Sequence, residues 1–128
     1  MKTFEQFIND GIYYRGAETN EFGKGSFDGM WCSKYYNTAA QYGKVWKYKI
    51  ENANLLDTND EKARTMEKIF EVGFPGEDEY YNQDGDWTEL WAFPPKGLIR
   101  ILRDQGYDGY NNGMDTFIFN LHKVKPLD

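Results

Sequence analysis

The chain has 128 residues and an aromatic content of 18%, enough to build one folded domain over residues 1–128 with a core of its own. Its net charge is −6, and the whole excess of acid lies in the second half, which argues against binding to a nucleic-acid backbone. One cysteine excludes an internal disulfide, and with no signal-peptide core and no membrane-length apolar run we expect a cytoplasmic protein away from membranes.

At the N-terminal end the pattern predicts a helix, a strand and a loop. Thr3 and Gln6 form a capping box, and Gly11 is placed to close the helix. An apolar strand is predicted over residues 12–14. The four glycines within residues 16–29 predict a loop that lies over a cleft.

A second short strand, "MWCS", is predicted to lead into a helix that Ser33 caps and Gly43 ends. Tyr35, Ala39 and Tyr42 are spaced at i, i+4 and i+7. They are therefore expected to share one face of that helix.

The middle of the chain predicts a strand, a helix and an acidic loop. Apolar residues and lysines alternate over residues 44–50, which is typical of a half-buried strand. Thr58 and Glu61 form a capping box for a helix that reaches about Val72. Residues 73–86 are rich in acid and glycine and predict a loop.

The last third predicts three strands and one helix. Strands are expected over residues 87–93, 107–110 and 115–121, and a helix, introduced by two prolines, over residues 96–106. Strands and short helices alternate irregularly along the chain. This order favours an α+β fold over a regular parallel α/β sheet.

Three of these elements carry motifs that occur together in one known family. The first strand ends in Tyr-Arg-Gly at residues 14–16, the second ends at Ser33, and the next helix carries Ala-x-x-Tyr at residues 39–42. With an acid before a late strand, this order resembles the ADP-ribosyltransferase family, whose fold is a split, twisted β-sheet clamp that binds NAD. The likeness covers residues 12–57 and 98–127, and it is greatest to small domains of phage and mobile-element proteins.

The resemblance implies a set of residues that bind NAD. Arg15 would give a fork of hydrogen bonds to phosphate or ribose oxygens. Gly16, which has no side chain, would bring its backbone close to the nicotinamide amide. Ser33 would hold the first strand and the catalytic acid in place, Tyr42 would stack on the nicotinamide ring, and Tyr35 belongs to the same set.

The reaction of the family cleaves the bond between nicotinamide and ribose through a transition state that resembles an oxocarbenium ion. A nearby carboxylate stabilises this positive charge. The residue that matches the family's glutamate is Asp115, whose side chain is one methylene shorter. Glu89, in the strand predicted over residues 87–93, is the other candidate acid. Arg15 completes the catalytic set.

The resemblance implies an enzyme that transfers ADP-ribose from NAD to a macromolecule, most simply a protein. In a phage, such an enzyme would act on a host or defence component. An inactive fold that binds a partner through its acidic surface is one alternative, and NAD hydrolysis with water as acceptor is another. No metal site is expected, because His122 has no second histidine or cysteine ligand nearby in sequence, and Cys32 is expected to be buried rather than nucleophilic.

Overall fold

The computed structural model describes residues 11–18 and 29–127. The helix predicted before Gly11 and most of the loop predicted over residues 16–29 lie outside this part of the chain. The strands are β1 (Gly11–Gly16), β2 (Met30–Cys32), β3 (Val45–Ile50), β4 (Leu55–Asp57), β5 (Gly109–Asn111), β6 (Thr116–Ile118) and β7 (Val124–Leu127). The helices are α1 (Tyr36–Ala40), α2 (Glu61–Gly73), α3 (Asp78–Tyr81), α4 (Thr88–Ala92) and α5 (Lys96–Asp104), with a 3-10 turn at Leu121–Lys123.

The strands form two sheets, which confirms the predicted α+β class. Sheet A has the order β1-β3-β7, with antiparallel pairs throughout. Sheet B has the order β2-β6-β5-β4, in which only β4 and β5 are parallel. A parallel pair needs a long crossover, and the chain supplies it with helices α2 to α5. None of the helices within the described ranges is long and apolar enough to cross a membrane.

The backbones of the two sheets are hydrogen-bonded to each other at a bridge between Tyr14 of β1 and Ser33, the residue after β2. The N–H of Tyr14 donates to the carbonyl of Ser33 at 2.7 Å, and the N–H of Ser33 donates to the carbonyl of Tyr14 at 2.8 Å. On either side of this bridge the strands pair within their own sheets. The bridge therefore marks the point at which the two sheets separate.

Alternation along the strands divides the interior into two clusters. On β6, Ile118 faces sheet A while Phe117, and Phe119 just after the strand, face the helices. Both clusters are made of large side chains whose burial provides the main stabilising free energy of the fold. The cluster between the sheets contains Tyr13, Met30, Cys32, Tyr48, Ile50, Ala53, Ile118 and Val124. The cluster under the helices includes Leu56, Met66, Phe70, Leu90, Trp91, Leu98, Leu102, Tyr110, Phe117 and Phe119.

The Gly-Tyr-Asp-Gly segment at residues 106–109 leads from α5 into β5, and the strand predicted over residues 107–110 begins only at Gly109. The carboxylate of Asp108 accepts hydrogen bonds from the backbone N–H of Asn54 at 2.7 Å and from the side-chain amide of Asn120 at 2.6 Å. A Cβ on Gly109 would lie 2.2 Å from the carbonyl oxygen of Phe117. Only glycine lets β5 approach β6 this closely.

The strand predicted over residues 87–93 is wrong, because Thr88–Ala92 form the helix α4. The carboxylate of Asp86 accepts hydrogen bonds from the N–H of Thr88 at 2.9 Å and from its hydroxyl at 2.6 Å. An acid in this place satisfies a first-turn amide and favours a helix start. Consecutive burial of Leu90 and Trp91 also departs from the alternation of a half-buried strand.

Two predicted helix caps are also corrected. The cap of α2 is Asp60, whose side chain accepts the N–H of Lys62 at 3.2 Å, and Thr58 is instead buried. Helix α1 begins after Tyr35 without a side-chain cap, so Ser33 does not cap it.

Three segment boundaries also change. Residues 73–86 hold the short helix α3 rather than only a loop. The last predicted strand is shorter, since β6 ends at Ile118, and the tail adds β7.

Candidate functional site

A cleft of about 1080 Å³ opens where the two sheets separate. If β1 and β2 continued to pair beyond the bridge between Tyr14 and Ser33, Gly16 would lie opposite Trp31. Instead β1 stays with β3 and β2 stays with β6. Gly16 and Trp31 both line the space between them, together with residues of α2 and α4.

Gly16 presents backbone rather than side chain to this cleft. Hydrogen-bonding groups alternate sides along a strand, so the N–H and C=O of Gly16 point to the same side as those of Tyr14, toward β2. A Cβ on Gly16 would lie 1.8 Å from the carbonyl oxygen of Ala39 and 3.1 Å from the Cβ of Tyr42. Glycine is therefore required here by the close approach of α1 and the turn that follows it.

Arg15 on β1 and Asp115 in the turn before β6 both line the cleft, and the charges of both act on one buried thiol. Both residues are half-buried. Burial raises the pKa of the Cys32 thiol; the negative charge of Asp115 raises it further and the positive charge of Arg15 opposes this. Cys32 therefore stays protonated, which agrees with its expected role as a buried residue and not a nucleophile.

Ser33 links the two sides of the cleft. Its hydroxyl donates a hydrogen bond to the carbonyl of Met114 at 2.8 Å and accepts one from the N–H of Tyr35 at 3.1 Å. Its backbone forms the bridge to Tyr14, and the residue is only 2% exposed. One residue thus fixes β1 relative to the turn that carries Asp115.

The turn before β6 holds the backbone of Asp115 in place. The side-chain oxygen of Asn112 accepts the N–H of Met114 at 3.0 Å and the N–H of Asp115 at 2.8 Å. The N–H of Asn112 donates to the carbonyl of Asp115 at 3.1 Å. This Asx-type turn leaves the carboxylate of Asp115 free of the bonds that shape the turn.

The three other predicted residues are divided between the cleft and the outer surface. Tyr42 lines the cleft, although it lies in the turn after α1 and is 68% exposed. Tyr35 and Glu89 are absent from the lining in the described part of the chain. Glu89 is on α4 close to Tyr81, whose pKa is raised chiefly by burial and less by neighbouring groups that include Glu89.

Aromatic side chains that no motif singled out form a wall of the cleft. The ring of Tyr110 lies 5.9 Å from that of Trp31 and 4.9 Å from that of Trp91, both in edge-on geometry. The hydroxyl of Tyr110 donates to the carbonyl of Trp91. Trp87 also lines the cleft. The alternation of β2 puts Trp31 on the face opposite Met30 and Cys32, a signal that the sequence contains, but its neighbours in the wall come from distant segments.

A buried carboxylate at the helix side of the cleft was also missed. Glu67 on α2 is 3% exposed. It accepts a hydrogen bond from the indole N–H of Trp91 at 2.7 Å and forms an ion pair with Arg64 at 2.8 Å. The sequence does contain a signal for it, since Glu67 lies with Ala63 and Phe70 on the apolar face of α2. An acid on such a face is buried, and a buried acid needs hydrogen-bonding or charged partners.

In the described residues no three histidine, cysteine, aspartate or glutamate side chains gather in a way that would hold a metal ion. The comparisons of this chain with models of protein families, with curated proteins and with solved structures gave no match. The argument for function therefore depends on the geometry of the cleft and on the sequence motifs.

Proposed function

We propose that this protein binds NAD in the cleft between its sheets and transfers ADP-ribose to a macromolecular acceptor, with a fold of the ADP-ribosyltransferase type. One observation carries the proposal. Arg15, Gly16, Ser33, Tyr42 and Asp115, selected from the sequence, all line one cleft. They come from both sheets and from the turn after α1, so their convergence does not follow from proximity in sequence.

The residues of the cleft suit a dinucleotide. Pockets for drug-sized ligands enclose roughly 300–1,000 Å³, and a cleft of about 1080 Å³ has room for a larger molecule. Trp31 and Trp87 are partly exposed in the cleft lining and offer indole rings to the flat rings of a ligand, while Tyr110 and Trp91 pack behind them as buried support. The N–H and C=O of Gly16 point away from β3 and toward β2, so a carboxamide in the cleft can meet both groups.

In this proposal each residue has one task. The N–H and C=O of Gly16 hold the carboxamide, and Arg15 donates to ribose or phosphate oxygens. Asp115 orients a ribose hydroxyl and stabilises the positive charge that develops at the anomeric carbon as its bond to nicotinamide breaks. The electron pair of that bond leaves with nicotinamide, and the acceptor's nucleophilic atom forms the new bond and releases its proton.

Labelled NAD, incubated with the protein and a cell lysate, tests the assignment of the acid. We expect label on a macromolecule, and in Asp115→Asn a loss of transfer of about 100-fold or more, with affinity for NAD retained. Asp104→Asn, an exposed acid on α5 outside the cleft lining, is the matched control and should transfer normally. Loss of transfer in Glu89→Gln, with Asp115→Asn active, would contradict the assignment.

A second candidate is a binding protein that does not turn NAD over. The side chain of Asp115 is shorter than glutamate, and the acidic start of α3, with Asp78 and Glu79, lies beside Tyr80, which is 61% exposed. Exposed aromatic side chains are typical of protein interfaces. In the same assay this candidate predicts no consumption of NAD, whereas hydrolysis predicts free ADP-ribose without labelled macromolecule.

A further inference from the structure

Arg64 on α2 lines the cleft together with Arg15 on β1. Its side chain is 57% exposed, while that of its partner Glu67 is 4% exposed. One terminal nitrogen of Arg64 donates both to the carboxylate of Glu67 at 2.8 Å and to the carbonyl of Thr58 at 2.8 Å. A guanidinium has five N–H donors, so the other terminal nitrogen and Nε keep donors that no described residue uses.

Glu67 fixes the direction in which these donors point. The carboxylate of Glu67 also accepts a hydrogen bond from the indole N–H of Trp91 at 2.7 Å, and Trp91 itself is buried on α4. The guanidinium of Arg64 is therefore anchored at one corner by two acceptors from α2 and the segment before it. An arginine held in this way is preorganised for bidentate hydrogen bonding at its remaining edge.

We propose that Arg64 is a second anion-binding residue of the cleft and that it binds a phosphate group of NAD, with Glu67 as its positioning residue. The inference rests on the proposed function and extends it by assigning the helix side of the cleft to the phosphate-bearing part of the dinucleotide. Arg15 and Asp115, which line the same cleft and whose charges both act on the Cys32 thiol, then hold the nicotinamide ribose.

Directed hydrogen bonds, rather than a general positive potential, would provide this recognition. The charged residues of the lining are Arg15, Arg64, Glu67, Asp86 and Asp115, so carboxylates outnumber guanidinium groups. A long-range potential in such a cleft does not favour an anion. Lysine at position 64 would keep the charge but lose the planar fork, and it should therefore fail to replace arginine.

Calorimetric titration with ADP-ribose and, separately, with nicotinamide tests the proposal. In Arg64→Gln we expect the affinity for ADP-ribose to fall tenfold or more, and the affinity for nicotinamide, which has no phosphate, to stay unchanged. Arg64→Lys should recover less than half of the lost binding free energy. Lys68→Gln, which removes an exposed cation from the same helix outside the cleft lining, is the matched control and should bind both compounds normally.

The outcomes separate this proposal from the one on which it rests. If the unaltered protein binds ADP-ribose and Arg64→Gln binds it equally well, the role of Arg64 is refuted while the proposed function stands. If Arg64→Gln and Arg64→Lys lose affinity for ADP-ribose and for nicotinamide to the same extent, the role of Arg64 in phosphate binding is also refuted. Such variants would have lost the structure of the whole cleft. If the unaltered protein binds neither compound, both proposals fail.

Discussion

At the scale of single residues, the cleft depends on an absent side chain as much as on those present. Gly16 lies where β1, α1 and the turn at Tyr42 converge, and its missing Cβ is what permits that packing. A Cβ at this position would push α1 and Tyr42 away from β1, and Gly16 and Tyr42 both line the cleft. A larger residue at position 16 should therefore lower both the stability of the fold and the affinity of the cleft for a ligand.

Gly16→Ala is expected to lower the free energy of unfolding by about 1–3 kcal/mol, since α1 must move away from a Cβ placed 1.8 Å from a backbone oxygen. It should also weaken NAD binding. Gly73→Ala is the control, because a Cβ at that position on α2 meets no described atom within 4 Å. Urea denaturation measures the free energy of unfolding of both variants. Equal stabilities for the two variants would contradict the packing argument.

The site residues differ in how far the sequence could predict them. Arg15, Gly16 and Ser33 are marked by short motifs at strand ends, and the strand pairing brings them to one cleft. Glu67 and Arg64 carry no motif, and their role appears only when α4 places Trp91 against α2. Such long-range pairing depends on tertiary packing, which local patterns do not encode.

At the scale of elements, segments with a clear period were predicted and those with mixed signals were not. Alternation identified β3, the capping-box pattern identified α2 although its cap is Asp60 and not Thr58, and the two prolines marked the start of α5. The segment 87–93 is rich in aromatic residues, which favours a strand, but the local bonds of Asp86 and the following prolines make it a short helix. The hydrogen bonds from Thr88 to Asp86 and the burial of consecutive residues prevailed there over intrinsic β-propensity.

The pairing of β3 with β7 adds a pH-dependent contribution to stability. Glu51, just after β3, has its pKa lowered to about 2 by hydrogen bonds from Lys125 of β7 and then Lys49, with their positive charges adding to the effect. A carboxyl group with a lowered folded-state pKa stabilises the fold above its unfolded-state pKa, about 4.3, and loses that contribution as the pH falls toward 2.

We therefore expect Glu51→Gln to be less stable than the unaltered protein at pH 7, with a difference that narrows between about pH 4.3 and pH 2. Denaturant midpoints measured across this range check the trend. Carboxyl NMR titration in Lys125→Ala provides the control, because removal of the leading partner should bring the pKa of Glu51 back up. A stability difference independent of pH would show that the pair is not responsible.

At the scale of the whole molecule, the architecture consists of sheet A, sheet B and a layer of helices, with the cleft where the two sheets diverge. Phe117 and Ile118, adjacent on β6, belong to the two separate clusters, so sheet B shares a core with both neighbouring layers. Ser33 and the bridge to Tyr14 join the sheets at the edge of the cleft. A ligand that contacts both sheets should therefore stabilise the protein as a whole.

A crystal structure of the protein with NAD bound tests the account at this scale. We predict the nicotinamide carboxamide within hydrogen-bonding distance of the Gly16 backbone, the attached ribose beside Asp115 and Arg15, and the pyrophosphate toward Arg64. NAD bound on another face of the molecule, or crystals grown at saturating NAD in which the cleft between β1 and β2 holds none, would contradict the account.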